Sequence, residues 1–288
     1  IELYACKDSD TISYAFYARE VQLLRCDLSN TASTGTVSSA DFTDADTTVL
    51  HYLGFNTTRA PFNNADLRRA VSLGIDRAGC VSSFLMGHGT VAQLPVNPAS
   101  PLYPKSLDTV YSPDSFTSAV TAAGFGSGAE PVSVTLLVNS ENTHKQSAAA
   151  KIAAALSTSA LRVTVEAVPW SDFVSRLKSG RFDLYYGEYK MTADWDLTDL
   201  LSASGANNYG RFNDADFAAL LTAERSAVGD GHTDASAKLY EAFCRQTPIA
   251  PICFARSSIL TTSGAIEGLT PSLTDPFYNL QDWTIHFS

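Results

Sequence analysis

The sequence has 288 residues, 45% hydrophobic and 17% charged, with a mean hydropathy of −0.02. That length supports one large domain or two modest ones with real cores, and the ordinary composition excludes a disordered or fibrous chain. Lys and Arg number 20 against 30 Asp and Glu, a net charge of −10 with no basic run, so nucleic acid is excluded as a partner.

No stretch approaches the ~20 apolar residues that a helical membrane span needs. The chain opens at Ile1 with neither Met nor signal peptide, and it is expected to be a fragment whose upstream segment has been removed. Cys6, Cys26, Cys80, Cys244 and Cys253 form no C-x-x-C pair and lie near no His at metal-ligand spacing. They read as small buried hydrophobes, with a Cys6–Cys26 bridge left open.

In chain order, Ile1–Ala5 reads as a strand, Asp10 or Thr11 as a helix cap, and Val21–Leu24 as extended chain again. Residues 29–47, rich in Ser, Thr, Asp and Gly, read as a loop or connector. Val49–Asn56 is a strand. Leu67, Ala70, Val71, Gly74, Ile75 and Ala78 recur at helical spacing and predict one amphipathic helix.

Pro95–Pro104 reads as irregular surface chain. Ser112-Pro113 then starts a helix that Gly124 ends. From residue 131 the periods alternate. Val132–Val138, Leu161–Val168 and Phe182–Tyr186 have strand periodicity, and helices are expected at 145–157 and 171–179, the second capped by Ser171 and stopped by Gly180. Such spacing implies right-handed crossovers and neighbouring parallel strands covered by helices. Two further helices are expected near 213–226 and 234–246, and Ile252–Thr262 is extended again. The class is α/β.

Gly87-His88-Gly89-Thr90-Val91-Ala92 spells G-x-G-x-x-A, but a helix precedes it and a proline-rich loop follows, the reverse of a dinucleotide site. It reads as a turn, and no cofactor is implied. Asp194-Trp195-Asp196 with Asp199 lacks the Gly and Glu of a calcium loop. No nucleophile elbow, P-loop or H-E-x-x-H is present. The acidic run follows a strand, and open α/β sheets bind ligands beyond the carboxyl ends of their strands. A carboxylate-pair hydrolase using Glu188 with Asp194 or Asp196 is a rival reading. The sequon at Asn56 reads as chance.

Several blocks, in colinear order between about residue 50 and residue 255, resemble one family. They are Tyr52-Leu53-Gly54-Phe55-Asn56-Thr57 with Ala60-Pro61-Phe62, Leu67-Arg68-Arg69-Ala70-Val71 and Ile75-Asp76-Arg77; then Gly87, Gly89, Pro95 and Pro98; Ala122-Ala123-Gly124-Phe125; Trp170 with Gly180-Arg181-Phe182-Asp183; Ala193-Asp194; Asn208-Tyr209-Gly210; and Pro248 with Pro251-Ile252. Together they resemble the ABC-transporter extracytoplasmic solute-binding proteins of the oligopeptide, dipeptide and nickel class. The chain departs from the pattern at Met191, where the family usually has Trp.

The resemblance implies a periplasmic-binding-protein-like lobe of class II type, with a mainly parallel sheet covered by helices, plus a remnant of a first lobe. Residues 1–50 are then lobe-one remnant, 51–255 lobe two and 256–288 a return segment. It also implies a binding subunit without catalysis, capturing a peptide or peptide-like solute for ABC permease subunits. The protein is then extracytoplasmic, as a cell-surface lipoprotein or in the periplasm, and monomeric when complete. A receptor or structural domain of the same fold is the alternative. Asp194 corresponds to the family aspartate that holds a peptide amino terminus. Trp195, Glu188, Tyr189, Met191 and Thr192 are expected to line the same pocket, with Asn56 and Asn208 further out. Because the site is shared between lobes, this chain is expected to fold alone but to bind weakly.

Overall fold

The Asp8 carboxylate accepts the Thr11 N–H at 2.8 Å and starts α1 (Ser9–Tyr17), so the cap lies upstream of the expected one. Residues 2–6 form no strand, and β1 (Leu23–Cys26) comes next. The computed structural model describes residues 2–26, 40–126, 128, 130–272 and 275–286. Most of the expected connector thus lies outside the described residues, but its end does not. From Ala40 the chain is already strand β2 (Ala40–Phe55), polar at first because that end is partly exposed.

The single helix expected after it is two, α2 (Ala65–Leu73) and α3 (Arg77–Phe84). Asp76 breaks the run by accepting the Gly79 N–H at 2.9 Å, a cap that competes with helix continuation. The apolar period survives the break because both helices pack on the same sheet. The Gly87 turn leads into β3 (Gly89–Val91), and Ser112 caps α4 (Pro113–Ala122) as its sequence predicts.

The alternating stretch folds in the expected order into β4 (Val132–Asn139), α5 (Thr143–Leu156), β5 (Leu161–Val168), α6 (Trp170–Ser179) and β6 (Leu184–Lys190), the last starting after Phe182 and running four residues past the expected end at Tyr186. Helix α6 begins before Ser171, because Glu141 accepts the Trp170 N–H at 2.8 Å from another element. Gly180 ends it in the left-handed region at φ +69°. Helices α7 (Thr198–Leu201), α8 (Ala215–Ser226) and α9 (Asp230–Gln246) precede β7 (Ile249–Thr262), and β8 (Ile266–Glu267) pairs with β9 (Thr284–Ile285). The thiols of Cys6, Cys80, Cys244 and Cys253 are free, which rules out the Cys6–Cys26 bridge.

The main sheet runs β1-β7-β2-β6-β4-β5, with β3 on the outer side of β7. Strands β6, β4 and β5 are parallel neighbours, as their crossovers require. The other half, built around β2 and β7, is antiparallel. Periodicity reveals that a strand exists but not its direction, so only the crossover part was predictable.

Both faces of the sheet are covered. Leu53, Phe55, Leu136, Leu184 and Tyr186 pack under α2, α3, α4 and α5, while Tyr52, Leu137 and Tyr185 pack against α6, α8 and α9. Adjacent apolar residues such as Leu136 and Leu137 therefore serve opposite cores. A third, small core of Phe16 and Leu260 sits at the far end of β7 under α1. Between the large cores and the small one, the β2–β7 register shifts between Asp46 and Leu50.

Two arginines of the resemblance blocks hold backbone rather than ligand. Arg68 donates to Phe62 O (2.7 Å), Thr247 O (3.0 Å) and Gln246 O (2.5 Å), closing the carboxyl end of α9, where Thr247 sits at φ +41°. Arg77 donates to Pro251 O at 2.8 Å and Ser72 O at 2.9 Å. Burial pushes both guanidinium groups down to about 10, still charged at neutral pH. Arg68→Met is expected to leave these carbonyls unpaired and to lower unfolding free energy by about 3 kcal/mol. Urea denaturation with an unchanged slope would register it.

Candidate functional site

Strand β6 leaves the core in the middle of its length: Leu184, Tyr185, Tyr186 and Gly187 are buried, while Glu188 and Lys190 are exposed. The buried part is fitted by two glycine–tyrosine exchanges across the β2–β6 pair. Gly54 faces Tyr185 and Gly187 faces Tyr52, and each phenol ring occupies the space a Cβ would fill. The two hydroxyls meet at 3.2 Å.

Beyond β6 the chain turns sharply. Trp195 N–H donates to Thr192 O (3.2 Å) and Asp196 N–H to Thr192 Oγ1 (3.2 Å). Trp195 lies at φ +61°, which costs a non-glycine residue about 1–2 kcal/mol. That conformation sets its indole edge-on to Phe254, with ring centroids 5.4 Å apart. Strain held at one residue of a loop is often functional.

The indole forms one wall of an open groove lined also by Thr47 and Thr48 of β2, Asn97, Pro101 and Pro271. Asp194 is exposed at the turn, and its carboxylate is held below the usual range, first by the Thr192 hydroxyl, with Arg225 contributing. It remains ionised at neutral pH.

Carboxylates further along fix the loop. Asp196 accepts the Thr198 N–H at 2.8 Å and pairs with Arg225 at 3.6 Å. Asp199 accepts from Asn207 Nδ2 (2.6 Å), the Ala206 N–H (3.0 Å) and the Tyr189 hydroxyl (2.8 Å). These bonds, Asn207 foremost, lower its pKa. Burial and Asp199 together push Tyr189 up to about 12, so the phenol stays protonated.

The structure divides the candidate residues. Asp194, Trp195, Thr192 and Tyr189 belong to one loop and its strand. Glu188 points to the opposite face from Tyr189, as neighbours on a strand must. There it pairs with Lys145 at 2.6 Å and lies 3.8 Å from His51, beside a cavity of about 10 Å³ lined by His144, Tyr186 and Cys253. Glu188 is therefore not part of the Trp195 groove, and the hydrolase pairing finds no support.

The Met191 side chain is buried in the core with Leu197 and Leu200. Asn56 is buried, donating to Gly180 O (3.0 Å) and Phe182 O (3.1 Å), while Asn208 donates to Ser202 O and Phe212 O (2.8 Å each). Both amides are used by the fold, and a buried Asn56 is no glycosylation acceptor. Thr47, Thr48, Asn97 and Pro101 were not anticipated. Their segments are polar or proline-rich, and only the register shift of β2 brings them beside Trp195.

Residues 1–210 match the family described as bacterial extracellular solute-binding proteins, family 5, middle region. The chain belongs to this family. Among curated relatives, this family 5 chain is 28% identical over 197 residues to heme-binding protein A of Haemophilus influenzae, covering 66% of the chain and 36% of that protein. It is 23% identical over 251 residues to the oligopeptide-binding protein AppA of Bacillus subtilis, covering 81% of the chain and 46% of that protein. The chain thus spans less than half the length of these relatives. The solved structure of AppA in complex with a nonapeptide superposes with a TM-score of 0.74 at 19% identity, over 97% of this chain and 59% of that one, and shares its fold. Among the described residues, no helix is long and apolar enough to cross a membrane.

Two outcomes check the assignment of fold-holding residues. Asn56→Ala is expected to cost about 2–3 kcal/mol of stability in denaturant titration, through buried backbone groups left unpaired. Asp199 has a depressed pKa, so its hold on the loop is complete above the ordinary carboxylate value of ~3.9 and is lost as pH falls through its own lower value. The protection of amides in residues 198–209, taken relative to their intrinsic exchange rates, is therefore expected to fall at acid pH in the wild type. Asp199→Asn should exchange faster at neutral pH and lose that dependence.

Proposed function

We propose that this chain is the solute-capturing part of an ABC importer's binding subunit, holding a peptide or peptide-like solute between two lobes for the membrane permease. The observation that carries the reading is a coincidence of place. In a family 5 chain, the loop bearing an ionised, exposed Asp194 and the strained Trp195 stands beside the register shift of β2 and β7.

In this reading residues 1–50 and 256–288 belong to lobe one, with the small Phe16–Leu260 core at its base, and residues 51–255 are lobe two. The protein works outside the cytoplasm, monomeric in its complete form and without catalysis. Closure draws its free energy from contacts that the solute makes only when both lobes touch it. Asp194 accepts hydrogen bonds from an ammonium group, a charge-assisted contact stronger than a neutral one. The Trp195 indole packs against an apolar part of the solute.

A relative carries heme in its name. Heme presents carboxylates, which an ionised Asp194 repels, so a free amino terminus is the better match. A thermal-shift screen of the complete protein with short peptides, their N-acetylated forms and hemin tests this. Free-amine peptides should raise the melting temperature and acetylated ones should not; a response to hemin alone overturns the peptide reading. By calorimetry, Asp194→Ala is expected to weaken binding of a free-amine peptide by about 1.5–3 kcal/mol, the worth of one charged hydrogen bond. Unchanged affinity with the fold intact would remove Asp194 from the site.

A further inference from the structure

At the register shift, Asp46 pairs with Arg256 and the next pairing is Leu50 with Phe254, so three residues of β2 stand opposite Ala255 alone. Bulged residues lose ladder hydrogen bonds and leave the strand free to bend. Here a single side chain replaces them. Thr47 Oγ1 donates to Ala255 O at 2.5 Å and accepts the Val49 N–H at 3.0 Å. The hydroxyl thus ties the bulge to β7 and closes it on itself.

The carbonyls of the same bulge hold both walls of the groove. Thr48 O accepts the Met191 N–H at 2.8 Å, at the root of the loop that carries Asp194 and Trp195. Thr47 O accepts from Asn97 Nδ2 at 3.4 Å; Asn97 also lines the groove, and its Oδ1 accepts the Ala99 N–H at 2.9 Å. Asn97 and Thr48 are almost fully buried, while Thr47 is half-buried beside the groove. Phe254, against which Trp195 packs, is the β7 residue at which pairing resumes before a second shift after His51.

We propose that Thr47 is a positioning residue: its hydroxyl holds the β2 bulge in one conformation, and the bulge sets the spacing of the Asn97 and Trp195 walls. The ribbon that joins the two ends of the sheet and the groove beside it then move as one unit. A bend of the ribbon shifts both walls, and a solute seated between the walls biases the bend. The functional meaning rests on reading the Met191–Asp196 loop as ligand-facing; the test below uses no solute and is independent of that reading.

The experiment is amide hydrogen exchange by mass spectrometry on Thr47→Val, which keeps the shape and removes the hydroxyl, and Thr47→Ser, which keeps the hydroxyl. Thr47→Val is expected to speed exchange about fivefold to tenfold, as loss of a partly buried hydrogen bond implies. The rise should appear together in residues 46–50, 95–99 and 189–193, with β4 unchanged. Thr47→Ser should stay near wild type. A rise confined to residues 46–50, or equal rises in both variants, overturns the proposal. Asn97→Ala probes the same coupling from the other wall should Thr47→Val fail to fold. It should speed exchange at residues 46–50 and 189–193, and an effect restricted to its own loop overturns the proposal equally.

Discussion

The pairing of β2 with β7 is the constraint on which the rest of the structure depends. Sixteen residues of one strand lie against fourteen of the other, although about two hundred residues separate them in the chain. At one end this ribbon is the centre of a sheet with helices on both faces. At the other it carries β1, α1 and a core of two buried residues. Such long-range pairing costs loop-closure entropy, which the large cores offset only after the intervening units have formed. The parallel unit β4–β6, with its own crossovers, is the natural local partner onto which β2 docks.

Polar ties gather beside the register shift, on the side of the small core. Besides Thr47, the His88 ring from the turn before β3 reaches both oxygens of Asp44 at 2.8 and 2.9 Å and stacks on Phe42. Arg256 joins Asp46 at 3.0 Å, and the Ser258 hydroxyl donates to Asp44 at 2.7 Å. Ser258 is buried and the other partners are partly exposed, so most of these contacts are individually weak. Apolar burial holds the cores, and these polar contacts hold the stretch of β2 and β7 between them.

Polar side chains elsewhere divide by what they satisfy. Arg68, Arg77, Asn56 and Asn208 saturate backbone groups that loops and helix ends leave open inside the protein. Their places in the colinear blocks reflect folding. Asp194 and Trp195 are different, since one remains exposed and ionised and the other holds an unfavourable backbone angle to place its ring. A residue that stabilises the fold and one that the fold strains to present look alike in a motif and differ only in their partners.

From residue 131 to 187 the sequence by itself determined strands, helices, their order and their parallel pairing. Period two, period 3.6 and obligatory crossovers are local properties, and they leave one arrangement. It likewise placed the acidic loop at the end of β6, because a strand's carboxyl end is found from its apolar run. Only the tertiary structure decided that residues 40–46 are strand, since their mostly polar side chains gain order from β7 and from His88. Tertiary contacts also decided that Glu188 faces Lys145 while Tyr189 faces Asp199, and that Thr47 and Asn97 stand beside Trp195. The facing of Glu188 and the place of Thr47 depend on register between segments far apart in the chain, and a slip of one residue would turn such side chains to the other face.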